Sequence, residues 1–154
     1  MAKQSAGILA YRKRGGDVEV LLVHPGGPFF TNRDEGVWSV PKGEYDGDEE
    51  ALAAAIREFK EETGFDIDGD FTLLQPITQK NGKVVTAWAI EKDLDVTNFV
   101  SNTCTIEWPY KSGRQMEIPE VDKVEWLSIA DAKVKINERQ VGLIEELVRM
   151  VNKI

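Results

Sequence analysis

The chain has 154 residues, 42% of them hydrophobic and 30% charged, which suits one soluble domain over residues 1–154 with a sizeable core. Its formal net charge of −8 argues against a nucleic-acid polymer as partner, because such binders carry a basic excess. No apolar run is long enough to span a bilayer, no secretory segment is evident at the N-terminus, and a single cysteine, Cys104, excludes an internal disulfide, so a cytoplasmic setting is expected.

Taken in chain order, residues 6–11 and 19–24 read as strands joined by the turn at residues 12–17. Residues 25–36 form a loop rich in Gly, Pro and polar residues. Residues 38–40 read as a short strand ending at Pro41-Lys42-Gly43. A helix is predicted over residues 48–62, capped by Asp46 or Asp48 and stopped by Gly64. Leu52, Ala55, Ile56 and Phe59 recur on one face of it, as a core-facing helix requires. Residues 71–78 and 83–90 read as strands around Lys80-Asn81-Gly82, and residues 104–108 and 123–127 as shorter strands. A short helix is expected at residues 129–134. A terminal helix is expected at residues 138–152, with Val141, Ile144, Leu147, Val148 and Val151 at helical spacing. Strands dominate around one central and one terminal helix, an α/β (α+β) arrangement without a regular βαβ repeat.

Glu58, Glu61 and Glu62 stand at i, i+3 and i+4 of the predicted central helix, so their carboxylates share a face. Like charges at that spacing oppose the helix, and a divalent cation relieves them. Mg²⁺ and Mn²⁺ favour such hard oxygen ligands. A solvated acidic face is the bland alternative for three glutamates taken alone. The surrounding pattern is more specific. Gly43 is followed after five residues by Glu49, and after seven more by Arg57-Glu58-Phe59-Lys60-Glu61-Glu62-Thr63-Gly64-Phe65. Average residue frequencies would produce this set of seven identities and two apolar positions on the order of once in 10⁷ chains of this length.

The segment resembles the signature box of the Nudix hydrolase superfamily. The resemblance implies a mixed β-sheet sandwiched between helices and a metal-dependent hydrolase of pyrophosphate bonds in nucleoside-diphosphate-linked metabolites. It implies Mg²⁺, with Mn²⁺ as an alternative, held by Glu58, Glu61, Glu62 and the Gly43 carbonyl. Glu49, one turn into the predicted helix, would support a second metal or pair with Arg57, and Arg57 would orient the glutamates. Gly43 suits a sharp turn close to the metal, where a Cβ would interfere. Members of the family supply a further acidic residue from a distant loop, in some cases six residues before a tryptophan. Glu120 stands six residues before Trp126, with Glu117 as its competitor. Glu61, Glu62 and Glu120 are the candidates for the general base.

Six other residues are candidate substrate contacts. His24, the single histidine, ends the second strand; a structural role is its alternative. Lys42, beside Gly43, is a candidate phosphate contact. Lys111 and Arg114 form a small basic turn beside Tyr110, suited to a distal phosphate or a base. Phe29 and Phe30, in a polar loop, are candidate stacking surfaces. Trp38, Trp88 and Cys104 read as core. The favoured substrate is a dinucleoside polyphosphate such as diadenosine tetraphosphate, bound by a monomer or a homodimer. A lysine before the box glycine, the loop aromatics and the basic turn speak for it. The tyrosine that some diadenosine hydrolases carry about seventeen residues past the box is missing from residues 79–84, which speaks against it. Nucleoside triphosphates, including oxidised ones, and a non-catalytic nucleotide-binding module are the alternatives. An ADP-ribose hydrolase is not supported.

Overall fold

The computed structural model describes residues 4–152. Residues 1–3, part of the segment read as lacking a secretory signal, lie outside the described residues. The strands are β1 (Gln4–Arg14), β2 (Asp17–Pro25), β3 (Lys42–Tyr45), β4 (Thr72–Leu73), β5 (Ile77–Thr78), β6 (Val84–Glu91), β7 (Thr103–Glu107), β8 (Gln115–Pro119) and β9 (Val121–Ser128). The helices are α1 (Ala51–Thr63), α2 (Ile129–Lys135) and α3 (Val141–Val151). No helix among the described residues is long and apolar enough to cross a membrane.

Seven strands form one mixed sheet in the order β4-β6-β1-β2-β9, with β3 added to β1 and β5 to β6. β1 runs parallel to β6 along residues 4–11. Its other edge is shared. Tyr11 to Arg14 pair antiparallel with β2, and Gln4 to Gly7 pair antiparallel with β3. The changeover falls at Ile8, whose N–H donates to the Pro41 carbonyl at 3.1 Å. Divergence of β2 from β1 thus opens a slot that β3 enters, placing Gly43 opposite Ala6.

Alternation along the central strands sends side chains into two cores. Leu9, Val20 and Leu22 pack with Trp38, Ala132, Leu143, Ile144 and Leu147, beneath α2 and α3. Ile8, Ala10, Leu21 and Val23 pack with Ala54, Ala55 and Phe59 of α1. The sheet is therefore sandwiched between helices, as expected. Burial of Phe59 alone contributes roughly 1.5–3 kcal/mol of transfer free energy to seating α1.

Several elements differ from their sequence reading. Residues 38–40 form no strand of their own. Ser39 makes a single bridge to Val23, and Trp38 bonds to the end of α2 through its N–H to Lys135 O. The Trp38 ring is buried while its indole N–H reaches Asp34 at 2.9 Å, and these demands override strand pairing. The strand lies one step later, at β3, where a turn was predicted. The helix begins at Ala51, not residue 48, and its N-cap is Glu50 with no side-chain cap. Asp46 accepts from the Asp48 N–H, closing a local turn instead of capping the helix. Glu49 consequently precedes α1 instead of standing one turn into it. Gly64 does end the helix, at φ 83°, with its N–H on Lys60 O. The strand expected over residues 71–78 is split into β4 and β5 around Gln75-Pro76, since proline cannot donate to the ladder. Residues 138–140 are a 3-10 turn ahead of α3. β8 was not anticipated. It pairs only with β7, in a two-stranded sheet of its own whose residues are mostly exposed, Cys104 among them.

Candidate active site

The box residues meet where β3 passes the C-terminal half of α1. Gly43 lies against Glu58 so closely that a Cβ would overlap the carboxyl group. Glu58, at i+3 from the buried Ala55 and beside Phe59, is itself buried. Glu62 lies one turn further, and its carboxylate accepts the Lys42 N–H at 3.3 Å. Glu61 stands at the half-exposed edge of the same face.

Arg57 binds three acidic residues at once. Its Nε and Nη2 donate to the two oxygens of Glu49 at 2.8 and 2.9 Å, and its Nη1 donates to Glu58 at 2.8 Å and to both oxygens of Glu61 at 3.2 Å. The orienting role expected for Arg57, and its pairing with Glu49, have this geometry. The hydrogen bond from Arg57 holds the Glu49 carboxyl below its ordinary range, and the guanidinium stays charged.

Glu120 is carried to this face by backbone bonds from the end of α1. Val100 N–H donates to Thr63 O, Asn102 N–H to Glu61 O, and Glu120 N–H to Asn102 O, each at 2.8 Å. Burial pushes the Glu120 carboxyl up, and the charge of Glu61 adds to that. Glu58 is raised first by burial, with Arg57 opposing and Glu61 and Glu120 reinforcing. Burial pushes Glu62 up to about 8, against the attraction of Lys42 and with the repulsion of Glu58 and Glu120. Four carboxyl groups from α1 and the segment before β9 therefore act on one another electrostatically. Glu117 lies elsewhere, exposed on β8 opposite Thr105. Lys42 is half-buried, and desolvation lowers its ammonium pKa while Glu62, Glu44 and Glu58 oppose the shift.

His24 is not part of this group. It is buried, with Nδ1 2.6 Å from Asp122 Oδ1, Nε2 2.6 Å from the Arg33 carbonyl, and its ring edge-on to Trp38. Both ring nitrogens are engaged in fixing the loop after β2 to β9, so the substrate contact read from the sequence gives way to the structural alternative. Lys111 and Arg114 are exposed at the tip of the β7–β8 hairpin, where Lys111 N–H donates to Glu107 and its ammonium lies 5.5 Å from the Tyr110 ring centroid. Phe29 is exposed and Phe30 half-buried. Asn102 and Trp108 were missed by the sequence reading. Nothing local marks Asn102, whose role is backbone bridging, whereas the run Glu107-Trp108-Pro109-Tyr110 carries an aromatic signal.

The donor set suits a hard divalent cation in kind. Its members are all oxygen, two of them are forced toward neutrality by burial and mutual repulsion, and Gly43 leaves its carbonyl side free of a Cβ. Among the described residues no three acidic side chains already converge as an ion cage, because Arg57 draws Glu58 and Glu61 to itself.

The family model of the NUDIX domain matches residues 1–147. A bis(5′-nucleosyl)-tetraphosphatase [asymmetrical] from Caenorhabditis elegans is 40% identical over 62 residues, a stretch covering 40% of this chain and 41% of that protein. The match thus spans less than half the length of that relative. Among solved structures, an Ap4A hydrolase binary complex from C. elegans superposes with a TM-score of 0.67 at 23% identity, over 99% of this chain and 100% of the other. The NUDIX domain of Shewanella oneidensis NrtR, complexed with ADP ribose, gives 0.67 at 17% identity over 99% and 90%. At these identities the structural likeness establishes the fold, and the domain match establishes descent. With the box at residues 43–65 intact and its carboxyl groups assembled between β3, α1 and β9, the chain belongs to the Nudix family.

Proposed function

We propose that the protein hydrolyses a pyrophosphate bond in a dinucleoside polyphosphate such as diadenosine tetraphosphate, using Mg²⁺ or Mn²⁺. The observation that carries this reading is the gathering of Glu58, Glu61, Glu62 and Glu120 beside Gly43, with Lys42 as the adjoining cation. The named activity of the C. elegans relatives supports the substrate class. Glu58, Glu61, Glu62 and the Gly43 carbonyl would hold the metal. When bound, a divalent ion neutralises the phosphates and lowers the pKa of an attacking water.

The chain's own residues supply the rest. Arg57 fixes the rotamers of Glu58 and Glu61 from one side, with Glu49 anchoring it from the other. Lys42 offers a half-buried ammonium to a phosphate oxygen, where partial exclusion of water strengthens the attraction. Glu120 reaches the site from outside the box, and its raised basicity suits it to take a proton from water. Glu61 and Glu62 remain candidates for that step. Lys111 and Arg114, on the hairpin, are suited to the distal end of a long phosphate chain.

The test is kcat/KM for diadenosine tetraphosphate against ATP, dGTP, oxidised dGTP and ADP-ribose under one Mg²⁺ condition. Diadenosine tetraphosphate is expected to lead. A tenfold preference for another nucleotide overturns the substrate, and no metal-dependent turnover of any overturns catalysis in favour of a binding module.

A further inference from the structure

Gln140 is buried at the start of α3, although its amide is costly to remove from water. It stands at the N-cap of α3, yet its side chain makes no capping bond to that helix. The amide reaches instead to a segment 100 positions earlier in the chain. Its Oε1 accepts the Val40 N–H at 3.1 Å, and its Nε2 donates to the Ser39 hydroxyl oxygen at 3.1 Å. The Val40 N–H can only donate, so it fixes which end of the amide faces it. The Gln140 backbone is held as well. Its N–H donates to Asn137 O at 2.8 Å, and the Asn137 N–H donates to Trp38 O at 2.8 Å. The turn ahead of α3 therefore grips residues 38–40 at both ends.

Those residues lead straight into the box. The Trp38 N–H goes to Lys135 O, and Ser39 exchanges both of its backbone bonds with Val23. Pro41 has no N–H to give. Val40 therefore supplies the last backbone donor before Lys42, and it is fully buried. Gln140 is the partner of that donor. Beyond Val40 the chain has little slack. A Cβ on Gly7 would lie 2.6 Å from Pro41 O, and a Cβ on Gly43 would overlap the Glu58 carboxyl. Between them the Lys42 N–H reaches Glu62 at 3.3 Å. A buried Val40 N–H without an acceptor draws the backbone toward another partner. In so close a fit, a small shift there passes to Glu58, to Glu62 and to the Gly43 carbonyl.

We infer that Gln140 is a positioning residue of the carboxylate site, holding the entry to β3 so that Lys42 and the Gly43 carbonyl keep their places beside Glu62 and Glu58. Its effect on turnover rests on the pyrophosphohydrolase reading, whereas its effect on the backbone at Lys42 and Gly43 does not. Gln140 touches neither box glutamate. It acts through the Val40 N–H and the two residues that follow.

The test separates positioning from stability. Gln140→Met keeps the length of the side chain and removes both of its bonds. Leu147→Ala opens the same core without removing a hydrogen bond from residues 38–40, and so reports lost stability alone. Both variants are expected to melt below the parent. Only Gln140→Met is expected to shift the Lys42 and Gly43 amide signals in NMR spectra of the metal-free protein and to weaken Mn²⁺ binding about tenfold. It is also expected to lower kcat for diadenosine tetraphosphate about tenfold, with KM within about threefold. Gln140→Glu accepts the Val40 N–H as the amide does while burial keeps its carboxyl neutral, so at pH 6 it is expected to stay within about threefold of the parental kcat. Unmoved amide signals and an unchanged Mn²⁺ affinity in Gln140→Met overturn the inference. Equal losses in Leu147→Ala, or a Gln140→Glu variant as slow as Gln140→Met, overturn it too. A parent that hydrolyses no nucleotide removes the hydrolase, and the amide signals and Mn²⁺ affinity then decide the positioning by themselves.

Discussion

Arg57 and Lys42 divide the acidic face between them. Arg57 neutralises Glu58 and Glu61, while Lys42 lies by Glu62. On the proposed reading, removing one carboxylate takes away a metal ligand or base without opening the core. Glu61→Gln and Glu62→Gln are each expected to lower kcat by about a hundredfold or more. Their far-UV circular dichroism and melting temperature should stay close to the parent's. Near-parental turnover in both variants overturns the site. Glu120 and Glu117 offer a sharper comparison, because they differ by three positions yet Glu120 acts electrostatically with Glu61 and Glu62 while Glu117 lies exposed on β8. Glu120→Gln should reduce kcat by at least about tenfold, and Glu117→Gln should leave it within about twofold. The reverse ranking moves the role to Glu117. His24 marks the limit of residue-level reading. A histidine at a strand end facing a substrate cleft and one that pins a loop look the same in sequence. The two acceptors at 2.6 Å distinguish them.

At the scale of elements, the end of α1 does two jobs. Gly64 reverses the chain at φ 83°, and its Cα faces Val100, whose carbonyl oxygen would lie 2.9 Å from an added Cβ. Gly64→Ala therefore meets both a left-handed backbone and a contact. The strain costs about 1–2 kcal/mol, lowering the melting temperature by roughly 2–8 °C. Because Val100 and Asn102 bridge α1 to Glu120, the same variant is expected to lose activity in excess of its loss of folded protein. Thermal melts alongside kcat at a temperature well below the transition decide it; a melt lowered with kcat unchanged shows that the bridge does not transmit the strain. The elements that sequence patterns missed are short or solvent-facing. β8 alternates no buried face against the main core, β3 is four residues long, and β4 and β5 are two residues each. Periodicity has too few residues to act on there.

For the whole molecule, the buried carboxyls link folding to pH. Glu62 titrates near 8 in the folded protein and near 4.5 when free, so between those values the folded state holds a proton that the unfolded state has released. The contribution of Glu62 to the stability of the metal-free protein is therefore fully present at the acid side of that window and is lost as pH rises toward 8. Glu62→Gln is expected to flatten this slope, leaving the part that the raised carboxyls of Glu58 and Glu120 contribute. Urea melts in a chelator from pH 5 to 8.5 check it, and equal slopes in parent and variant overturn it. On the proposed reading a metal held by Glu62 would displace this proton, so Mg²⁺ at one fixed concentration, near a hundred times its dissociation constant at pH 8, is expected to raise the melting temperature by about 5–10 °C at pH 8 and by less at pH 6. The sequence by itself determined the sandwich, since the alternation of Leu9 against Ile8 and of Leu22 against Leu21 addresses two faces, and α1 shows its core stripe. It also marked Gly43, Arg57 and the three glutamates of α1, because residues one helical turn apart share a face whatever surrounds them. Only the tertiary structure decided what depends on distant segments. Residues 100–102 carry Glu120 to Glu61, Trp108 meets Phe29, and Asp122 and Arg33 claim His24. Contacts across tens of residues arise from how strands diverge and loops return, and no local spacing records them.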